Sequence, residues 1–193
     1  MSKGRLEAFT DGVIAIIITI MVLEMKVPHG ADLTALRESL PVFSAYVLSY
    51  INVGIFWNNH HHMLHASAQV DGRVLWANLL LLFWLSLIPF VIRWIDDAGL
   101  VMLPVAAYGA VLFMSAVAYH LLEIAIIACN GRTSALAVAL GADTKGKLSL
   151  VLYAAGTLLA FVQPWLSIAV YVLVALIWFV PDLRIEKALK GGP

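Results

Sequence analysis

The first apolar segment of the chain begins with two carboxylates that need partners. Glu7 and Asp11 are four residues apart, so a helix places both on one face, where their charges repel. This arrangement calls for a cation or hydrogen-bond donors on a neighbouring helix. Alternatively, Asp11 or Thr10 caps the start of the helix and interacts with the positive end of its dipole. The residues alone leave both interpretations open.

A run of histidines ends the second apolar segment, over His60–His65. His61 and His65 are four residues apart, a spacing at which two imidazoles on one helical face can bind a metal ion. The run therefore allows a membrane metalloenzyme, or a polar helix end whose imidazoles bond to neighbouring groups. A di-iron oxygenase needs several such clusters on different helices, and only His29 and His120 remain elsewhere. We therefore predict no metal ligands and no cofactor.

His120 and Glu123 are three residues apart and can reach each other on a helix. They form either a satisfied pair or part of a polar inner layer, and the sequence favours neither. The chain has no nucleophile triad, no phosphate-binding loop and no paired-carboxylate site. An enzyme is therefore not expected.

The composition indicates the environment in which these residues lie. Of 193 residues 62% are hydrophobic and 12% are charged, against roughly 45–50% and 25% in soluble domains, and the mean hydropathy is +0.93. A soluble enzyme, a disordered protein and a disulfide-rich secreted scaffold are excluded, the last because the chain has one cysteine. The formal net charge is zero, which predicts no nucleic-acid partner. The expected class is a polytopic protein of the lipid bilayer.

The apolar segments are continuous and do not alternate, so we predict an all-α membrane protein with six transmembrane helices. The predicted spans are Ala8 to Val27, Pro41 to Trp57, Leu75 to Ile95, Leu100 to Cys129, Leu148 to Gln163 and Trp165 to Val180. They form one six-helix transmembrane domain over residues 1–190, without an internal repeat. Residues 191–193 resemble a frayed tail or a cloning remnant.

Six spans place both termini on one side of the membrane, and positive charge identifies that side. The side that holds the termini carries Lys3, Arg5, Arg73, Arg132, Lys145, Lys147, Arg184, Lys187 and Lys190, and the other carries Lys26, Arg37 and Arg93. Because cytoplasmic loops are enriched in Lys and Arg, we predict a multi-pass protein of the cell membrane with cytoplasmic N- and C-termini.

The first span carries an apolar stripe at helical spacing, formed by Ile16, Ile20, Leu23 and Val27, with Thr19 beside it. Such a stripe packs against other helices, contacts lipid, or faces a pore. In the last case, copies around an axis form apolar rings that narrow and dewet a pathway. The Thr19 hydroxyl then helps to replace the hydration shell of an ion.

Several polar residues lie at one level near the inner ends of the first three spans. They are Arg5, Asp11, Asn78, and His61 or one of its neighbours. A cluster at this depth predicts an interhelical hydrogen-bond network that holds the first span in place.

Three stretches carry a resemblance to a known family: Arg5-x-x-x-Phe9-Thr10-Asp11, Phe56-Trp57-Asn58-Asn59-His60-His61, and Asn78 to Phe90. They resemble the first, second and third helices of the transmembrane protein 175 family of potassium channels, over about residues 4–95. That family usually has serine where this chain has Thr10. The hydroxyl is kept, but the β-branch restricts its rotamer.

The resemblance implies that the first helix lines a central pore, without a glycine-tyrosine-glycine filter. It implies a gate at Ile16, further apolar layers at Ile20 and Leu23, and a pore threonine at Thr19 that contributes to selectivity. It also implies a structural network, for which the expected residues are Arg5, Phe9, Thr10, Asp11, Trp57, Asn59, His61 and Asn78. Members with one repeat form homotetramers, so four copies are expected here.

The leading hypothesis is a homotetrameric potassium-selective cation channel with a hydrophobic constriction on its first helix. The alternative is an ion-coupled or proton-coupled carrier, or a proton pathway, that uses Asp11 and the His60–His65 cluster together with His120 and Glu123. A metalloenzyme at the histidine cluster is the third hypothesis.

Overall fold

The computed structural model describes residues 2–28, 30–141 and 143–179, and within these ranges the regular elements are helices. In chain order they are α1 (Lys3–Leu23), α2 (Leu33–His65), α3 (Gly72–Ser86), α4 (Ile88–Ala98), α5 (Met102–Asn130), α6 (Ala135–Leu140), α7 (Thr144–Leu159) and α8 (Pro164–Phe179). The described residues contain no strand, so the predicted all-α fold is confirmed. The tail predicted at 191–193 and the end of the predicted domain, from residue 180, lie outside the described residues.

Among the described residues, four helical stretches are long and apolar enough to cross a bilayer: α1, α2, the consecutive α3 and α4, and α5. Helix α7 has 16 residues, which is about 24 Å of helix, against a hydrocarbon core of about 30 Å. Helix α8 is described as far as Phe179, where the described residues end. The chain is therefore a multi-pass membrane protein whose fifth predicted span is a shorter helix than the first four.

Helix α2 begins earlier than the hydropathy of the chain predicts. Asp32 caps it by accepting a hydrogen bond from the Ala35 backbone N–H at 2.9 Å, and Pro41 lies within the helix rather than at its start. The polar residues Arg37 and Glu38, which suggested a loop, therefore form its first turns. Hydropathy missed them because a helix can extend past the apolar run that crosses the bilayer.

A proline within an apolar span is expected to kink the helix, and near Pro89 the structure has a break between α3 and α4 at Leu87. The Leu87 N–H bonds to the Trp84 carbonyl at 3.2 Å instead of the Phe83 carbonyl, its partner in a regular helix. The Ser86 hydroxyl donates to the Phe83 carbonyl at 2.7 Å and takes that place. The Phe83 carbonyl, which Leu87 leaves free, is therefore satisfied within the same helix.

Helix α5 lies at the centre of the bundle, packed against α3 and α4, α7 and α8, whereas α1 packs against α2, α3 and α4. Tyr171 of α8 is completely buried and lies edge-on to Tyr108 of α5. Gly109 and Gly156 make room for it, since a Cβ atom at either position would collide with the Tyr171 side chain. The glycines therefore set how closely α8 approaches α5 and α7.

The segment predicted as the longest connection, Gly131–Lys147, contains the short helix α6 and the start of α7. Gly131 and Gly141 follow α5 and α6 with φ of 90° and 51°, which is the conformation that glycine adopts most easily at a helix end. Asp143 adopts φ 38° and caps α7, with its Oδ1 accepting from the Gly146 N–H at 3.2 Å. This cap places the Asp143 side chain at the end of α7 that faces α5.

Candidate functional site

The two faces of α1 have different surroundings. Ile14, Ile17 and Met21 are buried against the bundle, at 0–3% exposure. The opposite face carries the predicted stripe, with Ile16 57%, Ile20 39% and Leu23 79% exposed, and Thr19 exposed beside them. A single copy of the chain therefore leaves the whole stripe uncovered, although α1 itself is packed into the bundle.

The Thr19 hydroxyl lies on this uncovered face and donates to the Ile16 backbone carbonyl at 2.9 Å. A threonine that bonds back along its helix is expected to use the carbonyl four residues earlier, which here belongs to Ala15. Thr19 instead uses the carbonyl three residues earlier, that of Ile16. The bond uses the hydroxyl proton and leaves the oxygen lone pairs free to accept. Thr19 thus presents an oxygen acceptor between the apolar Ile16 and Leu23.

A buried hydrogen-bond chain joins the N-terminal half of α1 to α2 and α3. The Asn78 Nδ2 group donates to Thr10 Oγ1 at 2.9 Å, and Asn78 Oδ1 lies 2.8 Å from His60 Nε2. An amide oxygen only accepts, so Nε2 of His60 carries the proton in this arrangement. All three side chains are 0–1% exposed. This chain of hydrogen bonds links three helices through one asparagine.

The two carboxylates of α1 find donors on α2. Asp11 Oδ1 accepts from the indole Nε1 of Trp57 at 2.8 Å, and Glu7 Oε1 lies 3.0 Å from Nδ1 of His61. Because α1 begins at Lys3, Asp11 lies inside the helix and does not cap it. The repulsion expected between the carboxylates is therefore relieved by an indole and an imidazole.

Three other residues of the predicted network make no hydrogen bond between α1 and its neighbouring helices through their side chains. Arg5 is exposed, its backbone N–H bonds to the Ser2 carbonyl at 3.1 Å, and its side chain makes no hydrogen bond or ion pair with any described residue. Phe9 is 48% exposed, on the uncovered side of α1. Asn59 donates to the Ile55 carbonyl of its own helix at 2.8 Å and lines a cavity towards α5 and α7. Of the two predicted kinds of partner for Asp11, a cation or a hydrogen-bond donor on a neighbouring helix, the structure shows the donor, Trp57.

His60 is the histidine of the buried hydrogen-bond chain, where the sequence prediction named His61 or one of its neighbours. Consecutive residues on a helix point about 100° apart, so His60 faces α3 while His61 faces Glu7 of α1. The His61 and His65 rings stack with centroids 6.1 Å apart. Along the described part of the chain, no third metal-type ligand joins this pair within coordinating distance.

Ion pairs hold the C-terminal end of α1, a contact that was not predicted from the sequence. Arg93 of α4 donates to the Glu24 carbonyl at 3.0 Å and lies 3.6 Å from the Glu24 carboxylate. Asp97 pairs with Arg93 at 3.2 Å and with Lys26 at 2.5 Å. The sequence feature that could have revealed this contact is the presence of opposite charges near the ends of two predicted spans. Both ends of α1 are thus tied to α2, α3 and α4, and the uncovered stripe lies between them.

Known proteins resemble this chain in sequence and in fold. A family model described as "Endosomal/lysosomal potassium channel TMEM175" matches residues 5–89, which span α1, α2, α3 and the start of α4. A protein named as a potassium channel, from Chryseobacterium sp. (strain P1-3), is 53% identical over 190 residues, covering 98% of this chain and 99% of that protein.

A more distant relative, the "Endosomal/lysosomal proton channel TMEM175" of Gallus gallus, is 33% identical over 101 residues, covering 46% of this chain and 20% of that protein. The crystal structure of a lysosomal potassium-selective channel TMEM175 homologue from Chamaesiphon minutus is similar in fold. Its TM-score is 0.80 at 25% identity, covering 93% of this chain and 97% of that one. Sequence and fold agree over nearly the whole chain, which belongs to the TMEM175 family.

Proposed function

We propose that the chain forms a homotetrameric potassium-selective channel in the cell membrane, with α1 lining a central pore. The observation that carries this proposal is the uncovered stripe of Ile16, Ile20 and Leu23 on a helix that is tied to the bundle at both ends. The names of the relatives support potassium as the permeating ion. No cofactor is needed for conduction.

Closure around a fourfold axis accounts for the uncovered stripe. A closed ring of identical subunits buries the same surface in every copy, and four α1 helices then face one another across the axis. Ile16 forms the narrowest apolar ring, and Ile20 and Leu23 form the next two. Such rings hold little water when narrow, so small movements of α1 switch the pathway between dry and conducting states.

The buried chain through Asn78 and the ion pairs at Arg93 hold α1 in the position that such a pore requires. A pore helix must keep its rotation, since a turn of about 100° per residue would exchange the exposed Ile16 for the buried Ile17. Thr10 and Asp11 bond to different helices on the inner side. We propose that this pair of contacts sets the rotation of α1.

The proposed topology has six spans, with α7 and α8 as the last two and both termini in the cytoplasm. Short helices cross a bilayer where it thins locally or where flanking residues reach the interface. The excess of Lys and Arg on the side of the termini supports this orientation. Labelling of single cysteines placed at Ser2 and at Gly99 with a membrane-impermeant maleimide tests it, since only the latter should react from outside intact cells.

Proton permeation is the second candidate function, and two observations favour it. The Gallus gallus relative is named a proton channel, and the buried chain from Thr10 through Asn78 to His60 is an uninterrupted set of hydrogen bonds. If protons use this chain, His60→Gln removes proton flux and leaves potassium flux, because glutamine keeps a donor for Asn78 but does not titrate.

Flux into liposomes tests the proposed function. Purified protein is reconstituted and exposed to gradients of K⁺, Na⁺ and Cs⁺ in parallel, with a pH-sensitive dye reporting protons. A potassium channel gives K⁺ flux that exceeds Na⁺ flux, rises with concentration without saturating at low millimolar levels, and needs no second ion. Saturable flux that depends on a second ion would instead identify a carrier.

A further inference from the structure

A cavity of about 40 Å³ lies between α2, α5, α7 and α8, away from the uncovered face of α1. A buried water needs at least about 10–15 Å³ of such space, so the cavity holds two or three waters or an ion with part of its hydration shell. Its wall includes His120, Glu123 and Asp143 together with uncharged polar groups of α2 and α7. This is a small, partly open space with a mainly apolar wall and a few polar groups, and the proposed pore does not use it.

The three titratable residues converge on one point of this cavity. His120 Nδ1 lies 3.0 Å from Glu123 Oε2 and 3.9 Å from Asp143 Oδ2, and one ligand atom from each residue lies within 4.8 Å of the others. Ligands at about 2.0–2.2 Å from a tetrahedral zinc ion are about 3.3–3.6 Å apart. The observed separations bracket that value without rearrangement of the backbone.

Asp143 provides an independent indication of a ligand. The residue is 7% exposed, and its Oδ2 atom is buried without a hydrogen-bond partner among the described residues. Its other oxygen caps α7 through the Gly146 N–H, so the carboxylate cannot turn away. A Cβ atom at position 146 would collide with this carboxylate, and Gly146 thus leaves the space that Asp143 occupies. A buried carboxylate oxygen without a partner, at the wall of this cavity, calls for a ligand that the described residues do not supply, and an ion is one such ligand.

The chemistry of the three ligands selects the class of ion. Imidazole nitrogen suits zinc and other first-row transition metals, whereas calcium and magnesium prefer oxygen ligands alone. Three protein ligands with space for water in a further position are a common zinc arrangement. We propose that His120, Glu123 and Asp143 bind a divalent transition-metal ion, Zn²⁺ in preference to Mg²⁺ or Ca²⁺, and that the ion ties α5 to the start of α7.

Binding of Zn²⁺ alone to purified full-length protein without a histidine tag tests this site and requires no measurement of ion flux. After treatment with EDTA, calorimetric titration should give one Zn²⁺ per chain, and Zn²⁺ should raise the melting temperature. Co²⁺ should give the visible absorption of a low-symmetry site. Ca²⁺ and Mg²⁺ in hundredfold excess should leave Zn²⁺ bound.

Asp143→Asn and His120→Gln should each weaken Zn²⁺ binding at least tenfold. Asparagine keeps an oxygen for the Gly146 N–H and tolerates the left-handed conformation, so the fold should persist, as size-exclusion elution checks. Glu123→Gln gives a third variant if one of these does not fold. His65→Gln is the matched control, because it removes an exposed imidazole elsewhere, and its affinity should equal that of the wild type.

Absence of Zn²⁺ binding to the wild type at 1 mM would overturn the proposal. It would also fail if Asp143→Asn and His120→Gln bind Zn²⁺ as the wild type does, or if His65→Gln abolishes binding, since the ion would then lie at the exposed histidine run. None of these results bears on whether α1 lines a pore, so failure of this site and failure of the proposed channel are distinguishable.

Discussion

At the scale of single residues, Thr19 separates a pore from a surface that only contacts lipid. Its hydroxyl proton is bound to the Ile16 carbonyl, but its oxygen faces outward from the bundle with apolar neighbours on both sides. Four such oxygens around an axis would favour potassium, because potassium sheds water at lower cost than sodium. A hydroxyl that faces only lipid has no influence on which ion crosses.

We expect Thr19→Val to lower the potassium-to-sodium permeability ratio by up to about tenfold, the equivalent of about 1.4 kcal/mol, with assembly intact. Valine has nearly the same shape but no oxygen. Reversal potentials under bi-ionic conditions measure the ratio, and Thr19→Ser, which keeps the hydroxyl, is the control. A ratio identical to the wild type in the valine variant would assign selectivity to the apolar rings.

Ile16 tests the constriction at the same scale. Ile16→Asn adds a polar group to the narrowest ring and favours its wetting, so we expect a larger cation flux. Ile16→Val keeps the ring apolar, and its flux should stay near that of the wild type. Potassium efflux from liposomes, at matched amounts of well-folded protein, distinguishes the two. Equal flux from the asparagine variant and the wild type would remove Ile16 from the constriction.

At the scale of elements, the partner of Asp11 decides how α1 is attached to α2. The indole of Trp57 donates to Asp11 at 2.8 Å, whereas Arg5, six residues earlier, is exposed. A double-mutant cycle with Asp11→Ala, which removes the acceptor, and Trp57→Phe should give a coupling free energy of about 0.5–1.5 kcal/mol. A cycle of Asp11→Ala with Arg5→Ala should be additive. The melting temperatures of the purified variants measure both, and the opposite pattern would restore Arg5 as the partner.

The close approach of α8 to α5 depends on glycine, which has no side chain, at position 109. Gly109→Ala places a methyl group against the buried Tyr171 hydroxyl, and overpacking of this kind costs typically about 1–3 kcal/mol. Alanine in a helix gains back at most about 1 kcal/mol over glycine, so the melting temperature should fall. The methyl group of Gly54→Ala in α2 meets no atom within 4 Å. This variant should therefore gain only the stability that comes from the higher helix propensity of alanine. Similar shifts in both variants would mean that α8 packs more loosely on α5 than described.

At the scale of the whole molecule, the proposed fourfold assembly makes a prediction about distances between copies. In a Cys129→Ser background, which removes the single native cysteine, Leu23→Cys should form disulfides between copies because α1 helices meet near the axis. Leu158→Cys is a matched control, since Leu158 is 69% exposed but lies on α7, away from α1. Gel electrophoresis without reductant, after mild oxidation, measures the cross-linking. Efficient cross-linking through Leu158 and none through Leu23 would place α7, not α1, between the copies.

Several properties of the protein follow from the sequence alone. Composition and the lengths of the apolar runs determine that the chain lies in a bilayer and is helical, because each backbone polar group in lipid must be satisfied within its own helix. The position of Ile16, Ile20 and Leu23 on one face of the first helix follows from the 3.6-residue period of an α-helix. These are local properties, and neighbouring helices do not change them. The start of α2 was missed because hydropathy marks the part of a helix that crosses lipid and not the helix itself.

Only the tertiary structure decided which polar groups meet. His60 and His61 are adjacent, and their roles are set by the rotation of α2, which turns one imidazole to Asn78 and the other to Glu7. Packing of the whole bundle fixes that rotation. Asp143 likewise joins His120 and Glu123 only because a short helix and a left-handed cap return the chain to α5. Proximity in space depends on the relative placement of whole helices, and residue spacing along one helix does not contain it.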